Sequence, residues 1–316
     1  MTRYLIQRLV ESALVLALMS FVVYGLIGLM PGDPIDLMIS SNPNFTSADA
    51  ERLRAVYGLD RPLMERYVAW AEAALSGDLG YSRGFSKPVL EVLLPRLVNT
   101  VTLMGLSFAL ALAVAVPAAL WAASRPKGVA DTTINLVAFA GISLPPFWLA
   151  ILLIILFAVI LGWLPAGGMA DSAAGALERL RYLTLPVLAL TLATVGGLIR
   201  FLRASTIEAL RQDYVRTARA KGLSPPQVLR RHALRNAMIP FVTIVALNFG
   251  ALFSGALITE TVFGFLGMGK TIYDAILGND YNLALAGLLL ATATTLVANL
   301  LADLGYAWLD PRISYE

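Results

Sequence analysis

The sequence has no cysteine and only one histidine among its 316 residues. Without cysteine the chain forms no disulfide bond and has no site at which a thiol binds metal or acts as a nucleophile. The single histidine, His232, has neither a cysteine nor a second histidine with which to build a zinc site. These absences argue against a thiol-dependent enzyme and against a zinc protein.

Charge is also scarce. Only 14% of the residues are charged, whereas 58% are hydrophobic and the mean hydropathy is +0.73, more apolar than a soluble domain usually is. Crossing a bilayer core of about 30 Å takes roughly 20 apolar residues, and they must be helical because the core has no water to satisfy the backbone. The sequence predicts an all-α integral membrane protein with six transmembrane helices. The predicted spans are 9–30, 100–123, 134–161, 184–200, 237–259 and 283–305.

The predicted organisation is an N-terminal anchor helix and a folded external loop, followed by a five-helix core and a tail. The first span is a retained anchor, because its apolar part is too long for a signal peptide and runs into "PGDP" with no small-residue cleavage site. In the external loop, Leu63, Tyr67, Trp70 and Ala74 recur at helical spacing and predict a helix with one packed face. The predicted boundaries are 1–30, 31–99, 100–305 with a cytoplasmic segment at 204–236, and 306–316.

Basic residues indicate the orientation. With six spans both termini lie on one side, and that side receives most of the Lys and Arg residues next to the spans, including the basic run 200–235. The short loops on the opposite side hold few. The positive-inside rule therefore predicts that both termini are cytoplasmic.

The predicted spans contain few ionisable groups. Glu11, Glu260 and Asp303 are all expected near span ends, close to water. Proton-coupled carriers usually need acids or histidines at membrane depth, so this scarcity argues against an ion-driven carrier. An intramembrane enzyme also fits poorly, because a nucleophile–base pair would need a His or Lys there. The last span carries a polar stripe that either bonds to neighbouring helices or lines a wet pathway. The stripe consists of Thr292, Thr295, Asn299 and Asp303.

Two further patterns suggest moving parts. Pro145 and Pro146 remove backbone donors in the third span and predict a kinked or broken helix, either a packing kink or a hinge. "GFLGMGKT", 264–271, matches a phosphate-loop pattern but follows a predicted membrane helix instead of a strand, so nucleotide binding is rejected. A glycine-rich turn or gate element is the better interpretation. The candidate gate residues are Glu260, Gly264, Gly267 and Gly269.

The basic run contains "RTARAKGLSPPQVLRRHALRN", 216–236. A helix-forming segment ends at Gly222, a natural residue to follow a helix C-terminus. Ser224 then caps a second helix whose first position is Pro225, where proline is tolerated. The simpler interpretations of such a basic run are a topology determinant, a lipid-headgroup patch or a solvated loop. The helix–glycine–helix pattern favours a compact hairpin that docks on a partner protein.

These residues resemble the cytoplasmic EAA loop of ABC importer permeases, in the dipeptide/oligopeptide/nickel subgroup. "DYVRTARAKG" keeps Ala218 and Gly222 of the general pattern but has Arg216 and Thr217 at its first two positions. "HALR", 232–235, stands where the general pattern has Ile-x-Leu-Pro, and both departures are typical of the subgroup. Segments along the whole chain, among them "LIGLMPGDP", "LPPFWLA", "ETVFGFLGMGK" and "LDPRISY", resemble the subgroup's first permease subunit.

The resemblance implies the type I ABC importer permease fold and a non-catalytic translocation subunit for di- or oligopeptides. It implies a second homologous permease, two cytoplasmic ATPase subunits that hold ATP and Mg²⁺, an external solute-binding protein, the lipid bilayer of a bacterial inner membrane, and no nucleic acid. Cargo alternatives are nickel complexes, glutathione and oligosaccharides, and the alternative from another class is a stand-alone ion-coupled carrier or channel. By motif match the coupling helix lies at about 218–227. The implied ATPase-coupling residues are Asp213, Tyr214, Arg216, Thr217, Ala218, Arg219, Lys221, Gly222, Ser224, Pro225, Arg230, His232 and Arg235.

Overall fold

The computed structural model describes residues 2–29, 52, 61–171 and 173–309, with side chains described except at 2–5, 246, 249–255 and 302–309. Nearly all of this chain is helical, as predicted. The elements are α1 Thr2–Gly28, α2 Leu63–Leu75, β1 Tyr81–Ser82, β2 Lys87–Pro88, α3 Val89–Ser124, α4 Val129–Ser143, α5 Pro146–Leu153 with a π-helix Ile154–Ile160, α6 Ala176–Leu210, α7 Asp213–Ala220, α8 Pro225–Val228 with a π-helix Leu229–Ala233, α9 Leu234–Val262, α10 Met268–Leu277 and α11 Tyr281–Leu309.

Four described helices are long and apolar enough to cross a membrane alone, within α1, α3, α6 and α11. The pair Val129–Ser143 and Pro146–Ile160, bent by 103°, makes a fifth candidate span if its two halves are counted together. The sixth predicted span, 237–259, lies within the 29-residue helix α9, some of whose side chains are outside the described set. α3 begins at Val89, so part of the segment predicted as external loop is already helix.

The break in the third span is confirmed, and its cause is local. A proline disfavours helical geometry at the residue before it, and both Leu144 (ψ 131°) and Pro145 (ψ 135°) are extended. Pro146 then occupies the first turn of α5, where its missing N–H would have had no helical partner. Two consecutive prolines thus end one helix and start the next.

The described residues form two compact units, the first made of residues up to 98 with 270–296. Within it, the predicted face of α2 packs on α1: Tyr67 meets the ring of Phe21 edge-on at 5.2 Å, and its hydroxyl is 2.9 Å from Ser20 Oγ. The preceding segment "TSADAERLRAVYG", 46–58, also has helix signals in a Thr/Ser start, early acids and a final glycine, but apart from residue 52 it lies outside the described residues. A short antiparallel hairpin joins β1 to β2.

The second unit contains 99–269 with the residues from 297. Its centre is α6, which packs against α4 and α9. One buried apolar cluster joins these helices to α3 through Phe108, Leu198, Leu202 and Phe241. Because small residues such as Ala111, Ala115 and Ala119 also belong to this cluster, the helices approach closely, as interfaces of membrane helices do.

Candidate functional site

The predicted hairpin in the basic run exists and is named here the elbow, residues 213–228. It consists of α7, a turn and α8, and α8 continues through the π-helix into α9. Gly222 has φ +84°, and a Cβ at this position would meet no atom within 4 Å. Glycine is therefore needed here for its left-handed backbone and not for space.

The start of α8 is fixed by its capping residues, as the sequence indicated. The backbone N–H of Ser224 donates to Gln227 Oε1 at 3.0 Å. In return, the backbone N–H of Gln227, the third helical residue, donates to the Ser224 side chain. Pro225 occupies the first helical position. This capping box satisfies N–H groups that a helix start would otherwise leave without partners.

The elbow has its own small core. Val215, Ala218 and Val228 are buried and pack with Leu210 and Leu223. Ala218 therefore points inward, and His232 is half-buried. The remaining predicted coupling side chains face solvent, which leaves them accessible to a partner. They are Asp213, Tyr214, Arg216, Thr217, Arg219, Lys221, Ser224, Pro225, Arg230 and Arg235.

Two details of the predicted segment were wrong. The helix-forming run that ends at Gly222 is not continuous: α6 ends at Leu210, and Gln212 is extended (ψ 154°) before α7 begins. The range 218–227, predicted as one coupling helix, contains the end of α7, the turn and the start of α8. Polar composition favours helix on both sides of Gln212 but does not show that the chain turns there.

Glu260 lies at the centre of the candidate gate residues. It was expected near water, which is wrong: its side chain is fully buried. Thr100 Oγ1 donates to Glu260 Oε1 at 2.5 Å and accepts from the Met268 backbone N–H at 2.8 Å. One hydroxyl thus links α9, α3 and the start of α10.

The glycine-rich turn, residues 263–267, closes over this carboxylate. A Cβ on Gly267 would lie 2.0 Å from Glu260 Oε1, so any larger residue would force this buried side chain to move. Gly264 has φ +59°, and a Cβ on Gly269 would lie 2.7 Å from the Cα of Leu257. The structure therefore brings together all four predicted gate residues, and the helix before the turn agrees with the rejection of a phosphate loop.

The same turn is held from two further directions. Asn99 Nδ2 donates to the Leu266 carbonyl at 2.8 Å. On the other side the Gly168 N–H donates to the Phe263 carbonyl at 2.6 Å, and a Cβ on Gly167 would lie 2.1 Å from the same oxygen. Sequence reasoning missed these partners, although "AGG" at 166–168 is a signal of close backbone approach.

The polar stripe of α11 makes hydrogen bonds within its own helix at two of its positions. Thr292 and Thr295 donate to carbonyls of their own helix, Leu288 at 2.8 Å and Ala291 at 2.9 Å. Asn299 is exposed, and the side chain of Asp303 lies outside the described set. Since each threonine has one donor, neither of these two hydroxyls donates to another helix.

An ion pair that the sequence analysis did not notice joins α4 to α6. Arg203 bonds both oxygens of Asp131, with Nη2–Oδ2 at 2.7 Å and a second bond from Nε to Oδ1. Asp131 is 3% exposed. The two residues are 72 positions apart, so no local pattern could reveal the pair.

Comparisons with known proteins place the chain in a family of transport proteins. Residues 115–315 match the family described as "Binding-protein-dependent transport system inner membrane component", and residues 1–104 match the N-terminal component of such systems. A putative peptide permease protein of Brucella ovis is 38% identical over 316 residues, 99% of each chain. The oligopeptide transport system permease protein AppB of Bacillus subtilis is 36% identical, and the glutathione transport system permease protein GsiC of Escherichia coli is 37% identical, each over 100% of both chains.

The fold also matches a solved structure. A chain of the MetNI methionine ABC transporter, in inward-facing conformations, aligns with a TM-score of 0.57 at 16% identity and covers 70% of this chain and 97% of that one. At this identity the likeness concerns the fold alone. With the family match extending over most of the sequence, the chain belongs to the inner membrane components of binding-protein-dependent transport systems and is a permease subunit of an ABC importer.

Proposed function

We propose that this permease subunit carries di- or oligopeptides inward across the membrane, driven by ATP that separate subunits hydrolyse. The observation that supports coupling to such subunits best is the elbow, whose buried core, capped helix and left-handed Gly222 make it a fixed shape with an exposed charged surface. The peptide cargo follows from relatives named as peptide and oligopeptide permeases that align over 99% or more of their length.

The full transporter in this proposal contains a second, homologous permease, two cytoplasmic ATPases that bind ATP and Mg²⁺, and an external solute-binding protein. Both termini are cytoplasmic, because the basic residues of the elbow must lie on the ATPase side. This chain is non-catalytic. Arg219, Lys221 and Arg230, all exposed, would face acidic or polar groups of an ATPase, and single charges at such a rim contribute little individually.

The arrangement suggests how the chain works. The elbow continues directly into α9, so a displacement of the elbow by an ATPase acts on α9 through a continuous helix. Near its far end α9 carries Glu260, which is bonded to Thr100, and then leads into the glycine-rich turn. Asn99 and Gly168 form hydrogen bonds to the backbone of this turn. In this proposal the turn is part of the gate that the ATPases open and close.

Reconstitution tests the proposal. The chain, its partner permease and the ATPases are placed in liposomes with the cognate solute-binding protein, and uptake of a labelled oligopeptide is measured. We expect uptake that requires both ATP and the ATPases. Uptake of peptide by the permeases alone would instead indicate a stand-alone carrier or channel.

A second cargo is favoured by one observation: the glutathione transport system permease protein aligns at 37% identity over the full length of both chains. The cargo of the system is identified most directly by measuring which compounds its solute-binding protein binds. Calorimetry with a tripeptide, a pentapeptide, glutathione, a nickel complex and an oligosaccharide separates these alternatives. Micromolar binding of the pentapeptide with none of glutathione supports the main proposal, and the reverse result contradicts it.

A further inference from the structure

The carboxylate of Asp131 is held more completely than an ordinary ion pair requires. Besides the two bonds from Arg203, Oδ2 accepts the Lys127 backbone N–H at 2.8 Å and Oδ1 accepts Asn135 Nδ2 at 2.7 Å. Lys127 has φ +64°, which turns the loop before α4 so that its N–H reaches the carboxylate. A buried charge is tolerated when it is paired and its remaining lone pairs are satisfied. The loop, α4 and α6 therefore meet at one side chain.

The same two helices also touch backbone to backbone. A Cβ on Gly196 of α6 would lie 2.4 Å from the Ala138 carbonyl of α4. Asp131 precedes Ala138, and Arg203 follows Gly196, by about two helical turns each. The ion pair and the glycine contact therefore lie on one antiparallel interface, and α4 is fixed to α6 along most of its length.

The two ends of this helix pair lead to the elbow and to the 103° bend, the two segments that are expected to move during transport. Next to Arg203, α6 ends at Leu210, whose side chain packs into the elbow core, while Ala209 shares a buried cluster with Ala233 of the π-helix. At its other end α4 stops at Ser143, directly before the 103° bend. One packed route from the elbow to the bend therefore passes through the interface of α4 and α6 and reaches the bend from the α4 side, whereas α6 and α9 contact α5 on its other side.

We propose that Asp131 and Arg203 are a positioning pair that makes α4 follow α6, so that a displacement of the elbow reaches the bend at Leu144 and Pro145. This inference rests on the proposed function, because it assigns a task within ATP-driven import. A bidentate guanidinium–carboxylate bond suits the task, since it fixes orientation as well as distance. The glycine contact alone permits α4 to rotate or slide on α6.

The first test measures coupling. Arg203→Gln and Asp131→Asn are assembled with the partner subunits in liposomes, and peptide uptake per ATP hydrolysed is compared with wild type. The matched control is Arg125→Gln, which removes the same charge from an exposed side chain in the loop before α4. We expect uptake per ATP to fall about tenfold in both pair variants, within the usual range for coupling between sites, and not in the control. A ratio equal to that of the control overturns the proposal.

The second test keeps the pair intact and applies if the variants fail to assemble. Phe139 and Arg200 are exposed and in contact, with the guanidinium 5.7 Å from the ring. The chain has no cysteine, so Phe139→Cys with Arg200→Cys gives it one thiol pair, which a short bifunctional maleimide joins across α4 and α6. If the helices move together, the cross-linked transporter keeps its uptake per ATP. Loss of uptake after cross-linking shows that the helices must separate, and overturns the proposal.

Adding the cross-link to Arg203→Gln distinguishes positioning from a general loss of stability. A covalent tie restores the joint motion but supplies no charge, so we expect it to recover uptake per ATP. Failure to recover in an assembled transporter counts against the pair. The wild-type measurement keeps the two proposals apart: no ATP-dependent peptide uptake in wild type refutes the proposed function, whereas normal wild-type uptake with unaffected variants refutes only the positioning pair.

Discussion

Replacement of Gly222 by valine is the most direct perturbation of the elbow. Gly222 has φ +84°, and an added Cβ meets no atom within 4 Å, so the main cost of the substitution comes from the backbone conformation. A non-glycine residue in the left-handed region costs about 1–2 kcal/mol, and a β-branched residue is disfavoured further. That energy corresponds to a factor of roughly 5–30 in the population of the native turn.

This cost is a sizeable fraction of the free energy that holds the elbow together. Its core has three buried side chains, and burying one large apolar side chain contributes about 1.5–3 kcal/mol. We therefore expect Gly222→Val to reach the membrane at wild-type levels, since α6 and α9 are unaffected, but to present α7 and α8 at a changed angle. In liposomes ATP hydrolysis should continue while peptide uptake falls severalfold.

Asparagine at the same position separates conformation from side-chain chemistry. Asn adopts the left-handed region more readily than other non-glycine residues, so Gly222→Asn should retain most of the uptake that Gly222→Val loses. The measurement is uptake and ATP hydrolysis for both variants at matched amounts of assembled transporter. Unchanged uptake in Gly222→Val, or equal loss in both variants, would refute the reasoning.

Three smaller perturbations follow from other parts of the structure. Gly267→Ala places a Cβ 2.0 Å from Glu260 Oε1; it should destabilise the chain by about 1–3 kcal/mol and lower its melting temperature, whereas Gly25→Ala, in open space, should not. Asp280→Ala removes the acceptor of Ser82 Oγ and of the Gly84 N–H. Leaving these donors without a partner should lower the local stability by about 1–3 kcal/mol, so trypsin should cleave the β1–β2 hairpin faster. An unchanged cleavage rate would contradict this. Arg219→Gln, exposed on the elbow, should change the affinity for an ATPase by about fivefold or less at physiological salt, because exposed charge pairs contribute about 0.2–1 kcal/mol. A larger loss in co-purification would show a buried contact.

Local chemistry explains which features of the fold were predictable from sequence. Pro145 and Pro146 act on the backbone next to them, so the broken span follows from two residues. Gly222 and Ser224 likewise determine the turn and the capped helix around themselves. The interruption at Gln212 has no such residue, because nothing in its side chain forbids a helix. Packing explains it instead: Leu210 at the end of α6 packs into the elbow core with Val215 of α7, and tertiary contacts of this kind override helix propensity.

Buried charges are the part of the site that sequence could not place, and the reason is that burial depends on partners far along the chain. Glu260 lies near the end of an apolar run, where water is expected, yet Thr100 and the glycine-rich turn enclose it. Arg203 counts as one more cytoplasmic charge until Asp131 is seen to bind it through two bonds. A charge that serves only topology gains nothing from a buried partner, because exposure to water already satisfies it. Arg203 is therefore best explained by the contact it makes, which holds α4 against the helix that carries the elbow.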